Sequence, residues 1–128
     1  MGLHPSFAWH NPIPAAQLRI ITEKRFKMTF EEIQIGILKV AETYSEKFNV
    51  KIDHDFAVLK LFEEVGEYAQ AVIVHNKKSK PEKYVSEEEA KKHLGAELAD
   101  IIGMAIINAD LFGIDIQKSI KEKWLKKL

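Results

Sequence analysis

The most constraining feature of the chain is a helical stretch that is apolar on nearly every side yet begins with two acids. Apolar residues fill most of positions 98–112, and a helix that is apolar all round is normally buried. Glu97 and Asp100 stand at the start of this stretch, three residues apart and therefore on adjoining surface. Because unpaired carboxylates are very costly to bury, a basic partner, a shared proton or a metal must compensate them.

The pattern from residue 28 onward predicts an all-α protein of four or five helices. Apolar residues recur at helical spacing in successive segments, capping patterns precede these segments, and no segment shows the alternation of a strand. The predicted helices cover residues 29–48, the segment from Asp53 or Asp55 to about His75, residues 86–112 up to the stop at Gly113, and a short segment from Asp115 onward.

Residues 1–27 differ from the rest of the chain. Three of the four prolines lie there, and helical periodicity is weak. Either Met28 is the natural start and these residues are an upstream extension, or they form an arm that packs on the domain or on a partner. They lack a long apolar core and a small-residue cleavage site, which argues against a signal peptide. We therefore divide the chain into an N-terminal extension or arm, 1–27, and a helical domain, 28–128.

Composition excludes several classes of protein. The chain has 128 residues, enough for one domain, and no cysteine, which excludes disulfides and cysteine-bound zinc and fits a reducing cytoplasm. Lys+Arg and Asp+Glu both number 19, so net charge does not drive binding to nucleic acid or to an anionic membrane. The longest apolar run, residues 101–107, is too short to span a bilayer. We expect a cytoplasmic protein that binds neither nucleic acid nor membrane.

The second predicted helix carries acids of its own. On a helical wheel Lys60, Glu64 and Glu67 fall opposite a broad apolar face, with Glu63 at the margin of the acidic side. Taken alone, this side is the solvated face of an amphipathic helix. The acidic pair of the third helix favours another interpretation, because two facing helices can together supply four carboxylates to a cation. All-oxygen ligation suits Mg²⁺ or Mn²⁺, and Ca²⁺ less well. The apolar face comprises Val58, Leu61, Phe62, Val65, Tyr68, Ala69 and Val72.

The order and flanks of these acids resemble a known family. Glu63-Glu64-Val65-Gly66-Glu67 is followed, after 29 intervening residues, by Glu97-Leu98-Ala99-Asp100. This arrangement is similar to the EExxE…ExxD signature of the MazG-like all-α nucleoside triphosphate pyrophosphohydrolases. The flanking segments 59–67 and 97–116 resemble the two metal-binding helices of that family, and the resemblance covers roughly residues 30–127.

The resemblance implies a fold, a reaction and a site. The fold is a MazG-like helical bundle, and the reaction hydrolyses a (d)NTP between the α and β phosphates to a nucleoside monophosphate and pyrophosphate, in house-cleaning of the nucleotide pool. A carboxylate cluster suits this reaction, because phosphoryl transfer needs charge neutralisation and positioning. The implied ligands of Mg²⁺, or of Mn²⁺, are Glu64, Glu67, Glu97 and Asp100. Glu63 and Glu64 are the implied catalytic residues, with Glu63 either a further ligand or the base that orients water.

Four further residues are candidate substrate contacts: Lys60, Asn108, Lys121 and Lys123. Lys60 lies one turn before Glu64 and either pairs with it or contacts a phosphate. Asn108 is an amide on a helix expected to be buried, so it needs a partner, either a nucleobase edge or a neighbouring backbone group. Lys121 and Lys123 correspond by position to a basic segment that holds phosphates in the family; the alternative is a solvated amphipathic helix.

The apolar third helix also predicts an oligomer. The few other helices of one chain cannot easily cover it, so the surplus apolar surface argues for a homodimer or a homotetramer. The resemblance agrees, and it suggests active sites built with help from a neighbouring subunit.

Three alternatives compete with this function. A ferritin-like di-iron bundle needs Glu-x-x-His pairs, and the nearest case here, Glu89 and His93, is four residues apart. A phosphoribosyl-ATP pyrophosphohydrolase shares fold and chemistry, and only its substrate separates it. A non-catalytic helical interaction or regulatory protein could keep the fold, but its acids would be dispensable.

Overall fold

The computed structural model describes Pro14 and residues 28–128, and this part of the chain is all-helical. It contains four α-helices, two short 3₁₀ turns and no strand. The all-α class is therefore confirmed. The expected arm at residues 1–27 lies outside the described residues, apart from Pro14. The helices are α1 (Phe30–Phe48), α2 (His54–His75), α3 (Glu87–Leu111) and α4 (Ile116–Trp124), and the 3₁₀ turns cover Pro81–Lys83 and Leu125–Lys127.

Each helix begins at a capping residue that the sequence indicates. Thr29 forms a complete capping box, since its hydroxyl accepts from the Glu32 amide at 3.1 Å and the Glu32 carboxylate accepts from the Thr29 amide at 2.9 Å. Asp53, rather than Asp55, caps α2 by accepting from the Phe56 amide at 2.9 Å. The N-caps in chain order are Thr29, Asp53, Ser86 and Asp115.

Left-handed residues follow the ends of α1, α2 and α3, and the one after α2 is Lys77, with φ 54°. Asn49, with φ 50°, closes α1 and donates its amide to carbonyls of the last turn. Gly113, with φ 64°, follows the end of α3 and donates its amide to the Asp110 carbonyl at 2.9 Å. Glycine adopts this conformation without the steric cost that a Cβ imposes, which explains why α3 stops where the sequence predicts.

Helices α2 and α3 form the central antiparallel pair, and α1 packs on α3. The start of α2 meets the end of α3, where the His54 and Phe112 rings make an edge contact with their centroids 4.2 Å apart. On the α1 side, the closest atom to a Cβ placed on Gly103 would be Cγ2 of Ile37, at 4.0 Å. This arrangement brings the two acid-bearing helices face to face along their length.

The described part of one chain has a small core. Its buried apolar residues are Ala57, Ala90, Ile106 and Ala109, and its buried charged residue is Glu64. Among them only Ile106 is a large aliphatic side chain, 2% exposed. Many other large apolar side chains, such as Ile37, Phe56 and Ile107, are half-buried, so the described helices bury apolar surface without enclosing most of it completely.

The structure corrects the expected burial of α2 and α3. Part of the apolar side of α2 is exposed, with Val58 41%, Phe62 71% and Val65 45% accessible. The other residues of that side, Leu61, Tyr68 and Val72, are half-buried, and the acid Glu64 is buried. The expectation that the third helix is buried all round is also wrong for one chain, because Leu98 is 44% and Ile102 52% exposed. Among the described helices, α1 and α2 make the main contacts with α3, and two neighbours leave part of its circumference open. No helix in residues 28–128 has the length and apolar character needed to cross a membrane.

Candidate metal site and adjoining cavities

Three carboxylates converge where α2 and α3 face each other. One oxygen each from Glu64, Glu67 and Glu97 lies within 4.8 Å of the other two. Glu64 and Glu67 are one turn apart on α2, and Glu97 reaches them from α3. Oxygens at this spacing allow a single divalent cation to contact all three carboxylates, which is the ligand type that Mg²⁺ prefers.

The protein compensates little of the negative charge in this cluster. Glu64 is only 8% exposed, and burial raises the pKa of its carboxyl against the opposing effect of Lys60. Burial, and then the charges of Glu67 and Asp100, raise the pKa of Glu97. One Glu97 oxygen, Oε2, is buried without a hydrogen-bond partner. Buried carboxylate oxygens normally have partners, so this orphaned atom indicates a missing cation or proton.

Asp100 and Glu63 lie beside the converging carboxylates. Asp100 is exposed and outside the three-carboxylate set. Its charge nevertheless contributes to the raised pKa of Glu64, and it lines a cavity beside Glu64, between α1, α2 and α3. The side chain of Glu63 is 53% exposed and accepts a hydrogen bond from Lys60 at 2.8 Å. The structure thus brings together three of the four predicted metal ligands and leaves Glu63 at the rim.

Lys60 makes the ion pair that was one of its two expected roles. Its ammonium lies 2.8 Å from Glu63 and 3.6 Å from Glu64, so the predicted i, i+4 ion pair is present. The hydrogen bond to Glu63 is the main reason that the pKa of Lys60 is raised, which keeps it charged. Lys60 also lines the cavity that opens beside Glu64, where a phosphate contact remains available to it.

Asn108 has the backbone partners that were one of its two alternatives. Its amide nitrogen donates to the Ala57 carbonyl of α2 at 3.0 Å and to the Met104 carbonyl of α3 at 2.7 Å. Both amide hydrogens are therefore engaged, and for a nucleobase the side chain has only its carbonyl oxygen left. The geometry supports a structural role in joining the two acid-bearing helices.

We expect Asn108→Ala to lower the free energy of unfolding by about 1–3 kcal/mol, because it removes two hydrogen bonds of a half-buried amide, one of them to the neighbouring helix. Urea unfolding followed by circular dichroism measures the change. Gln117→Ala is the matched control. It removes an exposed hydrogen bond, from the Gln117 side-chain amide to the Gln34 side-chain oxygen at 2.7 Å, and should cost much less free energy. Equal losses in the two variants would contradict the structural role of Asn108.

The two lysines predicted to hold phosphates lie on α4. Both are exposed, and neither lines a cavity next to the acids. Helix α4 contacts α1 through the bond between Gln117 and Gln34. The chain therefore does not bring Lys121 or Lys123 together with Glu64, Glu67 and Glu97.

An apolar cavity of about 490 Å³ opens on one side of the acids, between α1, α2 and α3. The aromatic rings of Tyr44 and Phe56, with centroids 6.5 Å apart, form part of its wall, and Gly36 and Gly103 leave space in it. Sequence reasoning missed the contribution of α1. The glycine in the middle of α1 was the available signal, because glycine in a helix interior is unfavourable unless space is needed there. The remaining lining residues include Ile37, Val40, Ala41, Ile52, Lys60, Glu64, Ala99, Asp100, Met104 and Ile107.

A second, more polar cavity of about 580 Å³ lies on the other side of the acids. Its lining residues on α2 and α3 follow those of the first cavity at spacings of three and four residues, and so lie on the same face of each helix. The two cavities therefore form one groove along the helix pair, with the carboxylates in the middle. The second cavity is lined by Glu67, Gln70, Ala71, Val74, Lys83, Ala90, His93 and Glu97.

The raised pKa values of Glu64 and Glu97 predict how metal-free stability depends on pH. A carboxyl with a raised folded pKa favours the folded state when protonated, so its contribution is full below the unfolded pKa of about 4 and is lost as pH rises through the folded pKa. We expect Glu97→Gln to lose less stability than the wild type as pH rises from about 4 to 7. In chelator, its melting temperature should therefore increase relative to that of the wild type over this range. Thermal unfolding across that range tests this, with the exposed Glu88→Gln as control. Parallel profiles for wild type and Glu97→Gln would contradict the burial of this charge.

Comparison with known proteins shows that the chain is similar to a bacterial protein over about half of its length. The chain is 39% identical over 72 residues to a protein of Bacillus subtilis (strain 168) described as uncharacterized protein YvdC. The aligned region covers 52% of this chain and 68% of that protein. No protein-family profile matches the chain, and no solved structure matches it significantly.

Proposed function

We propose that this chain, which belongs to the same family as the Bacillus subtilis protein YvdC, is a cytoplasmic magnesium-dependent nucleoside triphosphate pyrophosphohydrolase with a MazG-like fold. It hydrolyses a (d)NTP between the α and β phosphates. The oxygen of water bonds to the α phosphorus, and the bond from that phosphorus to the bridging oxygen breaks. A nucleoside monophosphate, pyrophosphate and a proton leave, which removes unwanted nucleotides from the pool.

The observation that carries the proposal is the position of the three converging carboxylates beside a cavity large enough for a nucleoside. Glu64, Glu67 and Glu97 bring their oxygens within 4.8 Å of one another, and a Glu97 oxygen is buried without a partner. The adjoining cavity of about 490 Å³ lies within the usual range for small-molecule sites. An acidic cluster that was only solvated surface would need neither the buried oxygen nor the cavity.

The donor set fits a hard divalent cation. Glu64, Glu67 and Glu97 would hold Mg²⁺, or Mn²⁺, and Asp100 at the edge of the cavity would complete the set that the resemblance implies. When bound, the ion neutralises the triphosphate and lowers the pKa of an attacking water. Glu63, held at the rim by Lys60 at 2.8 Å, orients that water and accepts its proton.

The apolar cavity accommodates the base and sugar. Tyr44 and Phe56 offer ring faces, and the charged groups that border the cavity, Lys60, Glu64 and Asp100, lie with the metal site. Recognition by shape and ring contact discriminates less between bases than hydrogen bonds do, because a missing hydrogen-bond partner costs more than a missing contact. We therefore infer several accepted bases rather than one.

The same proposal includes a homodimer, or a tetramer built as a dimer of dimers. The outer face of α2, defined as Val58, Phe62, Val65 and Ala69, is an exposed stripe at i, i+4, i+7 and i+11. This spacing is the one by which helices pack on each other, and a twofold axis would let the stripe meet its own copy. Leu98 and Ile102 of α3 add further exposed apolar surface. Covering this face would enlarge the small core of one chain.

The direct test is to incubate the full chain with Mg²⁺ and each NTP and dNTP in turn, and to assay pyrophosphate. Phosphoribosyl-ATP belongs in the same panel, because the related reaction differs only in substrate. We expect pyrophosphate from several nucleotides and none in the presence of chelator. If no substrate releases pyrophosphate, the proposed activity is wrong, and a non-catalytic role for the fold becomes the better interpretation.

A further inference from the structure

Apart from Glu67 and Glu97, the residues that line the polar half of the groove have no part in the proposed metal site or in the apolar cavity. It lies on the far side of Glu67 and Glu97 from the apolar cavity, and Lys83 extends into its lining from the 3₁₀ turn Pro81–Lys83. On α2 the lining of this half runs from Glu67 to Val74, a length of about 10 Å along the helix axis. The two cavities thus lie on opposite sides of the carboxylates along the same helix pair.

Lys83 is held beside acids that it does not bind. Within residues 28–128 it makes no ion pair within 4.0 Å, although it shares the cavity with Glu67 and Glu97. A lysine that served only to neutralise these acids would be expected to contact one of them. Its distance from both leaves a cavity of about 580 Å³, bordered by acids on one side and by a cation on the other.

The segment that carries Lys83 has its own anchors. The Tyr84 hydroxyl donates to the Ser79 carbonyl, and the Lys83 and Tyr84 amides donate to the Lys80 and Pro81 carbonyls at 2.9 and 3.0 Å. These bonds fix the turn between α2 and α3 locally. Lys83 is therefore presented to the groove by an ordered turn rather than by a free loop.

We propose that Lys83 binds the diphosphate part of the substrate, and after cleavage the leaving pyrophosphate, in the polar half of the groove. This inference rests on the proposed function. With the base in the apolar cavity and the α phosphate at the carboxylates, the β and γ phosphates extend toward Lys83. An ammonium group is a suitable partner for them, because charge-assisted bonds to phosphate oxygens are the stronger class of hydrogen bond. His93 and Gln70 border the same space and offer further donors.

The test uses the full chain, Mg²⁺ and inorganic pyrophosphate as the probe in isothermal titration calorimetry. We expect Lys83→Ala to weaken pyrophosphate binding about tenfold, while nucleoside monophosphate binding stays unchanged. With a hydrolysed nucleotide, kcat/KM should fall by a similar factor, mainly through KM. Lys83→Arg should restore most of the affinity. Lys80→Ala is the matched control, since it removes the same charge from the same turn but from a residue outside the cavity lining.

The outcomes separate this inference from the proposed activity. If the wild type hydrolyses nucleotides and Lys83→Ala binds pyrophosphate as the wild type does, the inference is wrong and the activity stands. If the wild type hydrolyses none but Lys83→Ala selectively loses pyrophosphate affinity, the anion site stands without the activity. Equal effects of Lys83→Ala and Lys80→Ala would show general electrostatics and overturn the inference, as would a wild type that does not bind pyrophosphate.

Discussion

Glu97→Gln is expected to lower pyrophosphohydrolase activity by about 100-fold or more while leaving the helical fold intact. The change keeps the shape of the side chain and removes the negative charge of the Glu97 carboxylate, whose Oε2 is buried without a partner. Loss of groups that merely support a metal ligand already costs about 10–100-fold in affinity or activity, so loss of a ligand should cost at least as much. Glu67→Gln, which removes a second member of the converging set, should have an effect of the same order.

The measurement is initial-rate pyrophosphate release, paired with calorimetric titration of Mn²⁺ into the metal-free protein. Glu88→Gln is the control, because Glu88 is exposed in the first turn of the same helix and outside the cluster. We expect activity and Mn²⁺ affinity to fall together in the cluster variants and to stay near the wild-type values in Glu88→Gln. A fully active Glu97→Gln with unchanged Mn²⁺ binding would remove the basis of the metal site.

The same substitution should not weaken the metal-free fold. Burial raises the pKa of Glu97, so at neutral pH its charge opposes folding when no cation is present. Loss of activity together with equal or greater metal-free stability distinguishes a functional carboxylate from a structural one. A Glu97→Gln protein that is inactive because it is unfolded would show the opposite change in thermal unfolding.

The second large effect is expected from Phe62→Glu, which should dissociate the oligomer. Phe62 is 71% exposed at the centre of the outer face of α2. In a symmetric interface each substitution occurs twice, and a charge placed among apolar contacts loses hydration without gaining a partner. Since central aromatic residues often contribute 2 kcal/mol or more, we expect the dissociation constant to rise at least about 30-fold.

Sedimentation analysis over a range of protein concentrations measures this dissociation. Ile35→Glu is the matched control, because Ile35 is 59% exposed but lies on α1 and outside the outer face of α2. We expect the wild type and Ile35→Glu to remain oligomeric where Phe62→Glu is monomeric. A wild type that is monomeric at every concentration would refute the assigned interface, as would a Phe62→Glu protein that stays oligomeric.

Local features of the sequence predicted much of the fold. A cap joins a side chain to a backbone amide three residues away, as Asp53 does with Phe56, so its information lies within one turn. The glycine stop at Gly113 is equally local, because only its own φ is involved. The acids could also be placed from the sequence, since a separation of three residues puts two side chains on one helical surface. These expectations explain why the helix bounds and the convergence of α2 with α3 agree with the structure.

Contacts between distant residues were beyond such reasoning. Asn108 bonds the Ala57 carbonyl, 51 residues away, and no local pattern distinguished that partner from a nucleobase. The cavity beside Glu64 depends on where α1 crosses α3, and so on the space at Gly36 and Gly103. The same limit applies to Asp100, whose spacing suits the cluster but whose side chain lies outside it.

The sequence by itself determined that this protein is helical, where its helices begin and end, and that acids on two of them can meet. Only the tertiary structure decided that Glu64 on the acid-bearing side of α2 is buried and that Phe62 on its apolar side is exposed. The physical reason is that an amphipathic pattern records a contrast between two sides of a helix. It does not record which side meets the helices of the same chain and which is left for another surface.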